Sequence, residues 1–133
     1  ELNPPERQSY RFELSGPGQL ILPNGDVIDA QLLNGAHGRE FSNDCFIVDL
    51  EQAVIPLIIR TRQNGDRMSL KGMKGSRKVK DIFIDMKIPL DQRDEWPIVT
   101  DSEGRILWLP GLKKSNSEAT EGNRLLLLTY IKY

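Results

Sequence analysis

The sequence predicts an α+β fold, a mostly antiparallel β-sheet with one principal amphipathic helix at about residues 76–87 and a short second helical turn at about 90–95. Two observations carry that prediction. Eight short runs of strand character, at residues 10–14, 19–22, 26–33, 45–50, 56–61, 97–100, 105–109 and 124–132, are mostly separated by turn residues. Between the fifth and sixth runs, Val79, Ile82, Phe83 and Met86 recur at i, i+3, i+4 and i+7, an apolar stripe with the period of a helix that packs on a sheet.

Taken in order, the second and third runs are joined by Asn24-Gly25, which supplies positive φ cheaply and reads as a hairpin. Asn34-Gly35 and Asn64-Gly65 offer the same chemistry after the third and fifth runs. The fourth run, DCFIVDL, contains Cys45, which has no plausible partner base and reads as buried and inert. In the helix, Ser76 is the expected N-cap and Pro89 the stop, with Ile88 biased away from helical geometry by the proline after it. Arg77, Lys80, Ile84 and Lys87 then share a flank beside the apolar stripe, so Ile84 is an apolar residue among cations. Trp96 and Trp108 border the sixth and seventh runs and read as core.

Asn3-Pro4-Pro5 suits an entry linker, and residues 113–122 read as a mobile loop. A softer boundary near Val54 divides a β-rich preceding segment, 1–54, from a domain at 55–133. At 133 residues the chain can bury one ordinary core, or a small core with an appended subdomain. With 28% charged residues and a mean hydropathy of −0.43, no apolar run approaches the roughly 20 residues of a membrane helix. A single cysteine excludes an internal disulfide and fits a cytoplasmic location. Because the chain opens on Glu1 with no signal-like segment, it is expected to be a piece of something longer.

Charge is unevenly distributed. Residues 59–89 hold nine of the 18 cations (Arg60, Arg62, Arg67, Lys71, Lys74, Arg77, Lys78, Lys80 and Lys87) against Asp66, Asp81 and Asp85, a local net of +6. The whole chain is −1, so the remainder is −7. A solvated charged face is the ordinary reading, and a docking site for an anionic partner the sharper one. Lys74, Arg77, Lys78 and Lys80 crowd the expected helix N-terminus, where the macrodipole disfavours cations unless a phosphate sits there. Gly65, Gly72 and Gly75 could let backbone approach a phosphodiester, or simply make turns. No Gly-x-x-x-x-Gly-Lys-[Ser/Thr] string occurs, so the cations suit several phosphates of an extended polyanion better than one triphosphate. Aromatics are scarce here, which favours a duplex or folded RNA over unpaired bases.

Catalytic constellations are poor. Asp66, Asp81 and Asp85 read as ion-pair partners of Arg67, Arg77 or Lys78, with Asp66 orienting Arg67 or capping a turn. His37 has no second histidine or cysteine at metal-ligand spacing.

The pattern Arg-x-Arg-x-x-Gly-Asp-Arg at 60–67, Lys-Val-Lys-Asp at 78–81, Ile-Pro-x-x-x-Arg-x-x-Trp-Pro at 88–97 and Gly-x-Ile-Leu-Trp-x-Pro-Gly at 104–111 resembles the C-terminal domain of bacterial tRNA(Ile)-lysidine synthetases. The resemblance covers about residues 56–115. It implies membership of an ATP-dependent ligase that joins lysine to the wobble cytidine of an isoleucine tRNA bearing a CAU anticodon. In that family ATP, magnesium and lysine are used by an N-terminal PP-loop domain marked by Ser-Gly-Gly-x-Asp-Ser. This chain has no Gly-Gly pair, so no catalytic residue, metal ligand or cofactor site is carried over. The role implied is tRNA binding, with the acceptor stem as target and Arg60, Arg62, Arg67, Lys71, Lys74, Arg77, Lys78 and Lys80 as candidates. The expected partners are that tRNA and the rest of the same polypeptide, with a homodimer left open and no membrane. The alternative is a protein-interaction module that docks the basic segment on an acidic surface of the parent enzyme, anchored by Ile84.

Overall fold

The computed structural model describes residues 9–34 and 42–133. The expected linker at Asn3-Pro4-Pro5, the Gly35 half of the Asn34-Gly35 turn and His37 lie outside the described residues. All eight runs of strand character form strands. In chain order the elements are β1 (Arg11–Leu14), β2 (Gly18–Ile21), β3 (Val27–Asn34), β4 (Cys45–Asp49), β5 (Leu57–Arg60), β6 (Arg67–Met68), β7 (Arg77–Lys78), α1 (Val79–Asp85), α2 (Leu90–Arg93), β8 (Ile98–Thr100), β9 (Ile106–Leu109), β10 (Lys113–Lys114) and β11 (Arg124–Ile131). Among the described residues, no helix is long and apolar enough to cross a membrane.

Every strand pairing is antiparallel. One sheet runs β2-β3-β11-β4, a second β1-β5-β8-β9-β10, and β6 with β7 makes a separate two-stranded ribbon. Asn24-Gly25 closes the β2–β3 hairpin as expected, with Gly25 at φ 93°. Strand pairs join residues on either side of position 54: β1 pairs with β5, and β11 with both β3 and β4.

The period-two pattern of the strands builds the core. In β11, Leu126, Leu128 and Tyr130 share one face with Ile28, Ala30, Phe46 and Val48 of the neighbouring strands, and all are buried. Phe46 stacks on Trp108 of β9, with centroids 6.0 Å apart, which joins the two sheets. Trp96 lies 6.3 Å from Tyr130 and 6.4 Å from Phe83 of α1, tying the helix to the same core. Both tryptophans are therefore core, and both satisfy their buried N–H: Trp96 donates to the Pro110 carbonyl and Trp108 to the Asn43 carbonyl, each at 2.9 Å.

Buried Asp26 accepts from the Tyr130 hydroxyl, the Asn24 amide (3.0 Å) and the Tyr133 backbone N–H (2.9 Å). Burial, then Asp26, push the Tyr130 phenol far above its ordinary value, and burial with Asp26 and Glu95 does the same to Tyr10. The unfolded chain ionises both near pH 10, so their contribution to stability is intact below that pH and is lost as pH rises above it. In a spectrophotometric titration, Tyr10 and Tyr130 should stay protonated through pH 11 and ionise only with alkaline unfolding.

The principal helix is shorter than the expected 76–87. Arg77 and Lys78 pair with Met68 and Arg67 as β7, and this extended ladder displaces the first helical turn, so Ser76 is not the N-cap. Lys78 occupies that position without a side-chain cap. At the other end the helix closes before Pro89: the Ile88 N–H donates to the Phe83 carbonyl and the Lys87 N–H to the Ile84 carbonyl, each at 3.0 Å, a Schellman arrangement. Met86, expected on the buried stripe, sits at the C-cap and is 37% exposed. Lys87 adopts φ 57°, the left-handed region that glycine enters without steric cost. Lys87→Gly should therefore stabilise the chain by about 1 kcal/mol, read as a higher denaturant midpoint with unchanged slope.

Cys45 departs from expectation in part. It is half-buried on the outward face of β4, beside Thr129, whose hydroxyl lies 3.8 Å from its sulfur.

Candidate nucleic-acid interface

The basic stretch folds as a ribbon and a loop that leads into α1. β6 and β7 set Arg67 directly opposite Lys78 and Met68 opposite Arg77. Directly opposed residues project to the same side of a ribbon, so Arg67 and Lys78 share one face while buried Met68 anchors the other in the core. The loop between the strands carries Lys71 and Lys74. Gly72 and Gly75 turn it through φ 80° and 77°, and both positions look onto open space.

The eight candidate cations fall into two groups. Arg60, Arg62, Lys71 and Arg77 are committed to carboxylates. Arg60 is only 8% exposed; its two terminal nitrogens donate to the two Asp66 oxygens at 3.0 Å each, and one also donates to the Thr61 carbonyl. Asp66 thus holds Arg60 rather than the expected Arg67, and it also caps its turn by accepting the Gln63 N–H at 2.7 Å. Arg60 is inward-facing because β5 is a central strand, buried along its whole length. Arg62 donates to Asp94 at 2.9 Å and lies 6.0 Å from the Phe83 ring centroid. Lys71 pairs with Glu118 at 3.1 Å, and Arg77 with Asp85 of α1.

Arg67, Lys74, Lys78 and Lys80 form the second group. All four are exposed, and none has a carboxylate partner among the described residues. Arg67 is braced: its Nε donates to the Ser76 hydroxyl at 2.9 Å and a terminal nitrogen to the Ser76 carbonyl at 3.2 Å. Ser76 therefore orients a cation instead of capping a helix. At the helix N-terminus, where a phosphate is expected, the first N–H of α1, that of Val79, donates to the Asp66 carbonyl at 2.9 Å.

Residues 113–122, expected to be a mobile loop, clamp the ribbon instead. β10 pairs with β9, Leu70 bridges Ser115, the Lys71 N–H donates to the Lys114 carbonyl, and the Gly72 N–H donates to the Asn116 side chain. The hub is Glu118, whose side chain is 6% exposed and accepts from Lys114, Lys71 and the Ile47 N–H of β4. A buried carboxylate that accepts four hydrogen bonds from these three donors is fixed in place. Glu118→Gln keeps an acceptor for Ile47 but removes the charge, and should cost about 1–3 kcal/mol. Hydrogen exchange should then show the loss of protection concentrated at Lys71 and Gly72.

The family model described as the TilS substrate C-terminal domain matches residues 57–129. The chain is 50% identical over 127 residues to a tRNA(Ile)-lysidine synthase of Bacillus licheniformis, a match covering 92% of the chain and 26% of that protein. It is 49% identical over 125 residues to that of Geobacillus kaustophilus, covering 92% of the chain and 27% of the relative. The chain thus spans about a quarter of the length of the curated relatives it matches. The crystal structure of a TILS C-terminal domain superposes with a TM-score of 0.88 at 48% identity, covering 93% of this chain and 97% of that one. An N-terminal fragment of the phenylalanyl-tRNA synthetase β-subunit from Pyrococcus horikoshii shares the fold at 14% identity and a TM-score of 0.60, over 77% of this chain and 38% of that one. With a family match running over 73 of its 133 residues (57–129), the chain belongs to the TilS substrate C-terminal domain family.

Proposed function

We propose that this chain is the tRNA-binding module of a tRNA(Ile)-lysidine synthase, a cytoplasmic ATP-dependent ligase that attaches lysine to the wobble cytidine of the CAU-anticodon isoleucine tRNA. The observation that carries the reading is the Arg67–Lys78 pair. Like charges directly opposite on a ribbon are destabilising, and among the described residues no acid pairs with either. A phosphate backbone seated on that face removes the repulsion and turns the pair, with Lys74 and Lys80, into a grip. No aromatic residue lies between positions 67 and 78, so the ribbon holds phosphates and shape. A regular stem such as the acceptor stem offers both. Arg62, Lys71 and Arg77 flank the grip and keep it in place through their carboxylates, and Arg60 supports it from within. Use of ATP, magnesium and lysine is assigned to the part of the longer protein that carries the ligase chemistry.

The competing docking role is favoured by one feature: Ile84, on the helix that carries Lys80, is 47% exposed, which suits a protein contact. Titrating the chain separately with the CAU-anticodon tRNA and with the remainder of the synthase separates the two. Saturable binding to the tRNA is the expected result. Binding to the protein remainder, with none to the tRNA, replaces this reading with the docking one.

A further inference from the structure

A cavity of about 320 Å³ opens at the root of the ribbon, lined by Tyr10, Arg11, Arg60, Thr61, Arg62 and Gln63. Three arginines in its lining suggest a phosphate, but the local charge argues otherwise. Arg60 is held by Asp66 through both terminal nitrogens, Arg62 by Asp94 through its Nε and a terminal nitrogen, and Arg11 by Glu13 at 3.0 Å. Each cation has its own carboxylate, so the wall is formally neutral and many of its edge donors are already used. A guanidinium bonded along its edge still has two flat faces; Phe83, its ring centroid 6.0 Å away, lies over one side of Arg62, and the other is a surface of the kind on which unpaired bases stack. The side chain of Gln63 is exposed and has no partner among the described residues, leaving a donor and an acceptor that match the edge of a base. The volume is at the lower end of the range of small-ligand sites. The cavity is also joined to the ribbon through one residue, because Asp66, which fixes Arg60, immediately precedes Arg67.

We infer that this cavity receives an unpaired nucleobase of the same RNA whose phosphates the ribbon holds, stacked on Arg62 and read by Gln63. The inference rests on the RNA-binding reading above, and it adds a single-stranded element to a surface that otherwise holds only backbone.

Three RNA hairpins with an identical stem test it: one blunt, one with a three-nucleotide single-stranded tail, and one with the same tail made abasic. Stem binding reports on the ribbon, while the ratio of intact to abasic tail reports on the cavity, since the two tails carry the same phosphates. The intact tail should bind about tenfold more tightly than the abasic one at equal salt. Gln63→Ala should reduce that ratio to about twofold, as should Arg62→Lys, which keeps the charge opposite Asp94 but loses the plane. Gln63 is at the surface, so its variant tests the cavity without burdening the fold. Equal affinity for intact and abasic tails overturns the inference and leaves the ribbon reading standing. A blunt stem that does not bind, with a base-dependent tail that does, overturns the ribbon reading instead.

Discussion

The combined variant Arg67→Glu, Lys78→Glu and Lys80→Glu should bind tRNA roughly 100- to 500-fold more weakly at about 0.1 M salt while remaining folded. The magnitude follows from counterion release. Each neutralised phosphate contributes about 0.7–0.9 to the salt slope, or about five- to eightfold at that salt concentration, and three contacts multiply. Repulsion from the introduced carboxylates adds to the loss. The fold should survive because all three side chains are exposed and none has an acidic partner to lose among the described residues. Fluorescence anisotropy of labelled tRNA, with circular dichroism of the variant as control, reads both halves. By contrast, Arg77→Glu removes the partner of Asp85, so its effect on binding would mix with a disturbed helix.

Asp66→Ala should lower stability by about 3–5 kcal/mol, a large share of what a domain of this size has. Removing the carboxylate strands Arg60 as an unpaired charge at 8% exposure and also uncaps the turn at Gln63. The same physics predicts a rescue. Arg60→Met combined with Asp66→Ala replaces the pair by an apolar side chain of similar reach, and should recover most of the loss. Denaturant unfolding of the two single variants and the double gives the coupling directly. A double variant no more stable than Asp66→Ala would mean that turn capping, not the stranded arginine, dominates the cost.

Strand existence was legible because it is encoded locally: alternation in β3 and β11, and Asn24-Gly25 between β2 and β3, need no tertiary information. Helix content was legible in Val79, Ile82 and Phe83, but its start was not. Arg77 and Lys78 have side chains compatible with a helix, and only pairing with Arg67 and Met68, some ten residues back, makes them extended. The cations were legible as a group and not as individuals. Which of them is spent on a carboxylate depends on Asp94, 32 positions from Arg62, and on Glu118, 47 positions from Lys71, separations at which sequence carries no pairing signal. Glu118 had one local clue in its i, i+4 spacing from Lys114, which the polar, glycine-containing composition of residues 113–122 obscured.

Arg67, Lys74, Lys78 and Lys80, which have no carboxylate partner among the described residues, are proposed to hold RNA phosphates. The most direct measurement is the affinity of the chain for the CAU-anticodon tRNA across a salt series from about 50 to 200 mM. Four contacts predict a log–log slope of about −3, falling to about −1 in the triple charge-reversal variant. A slope near zero, or one unchanged in the folded variant, would contradict the account.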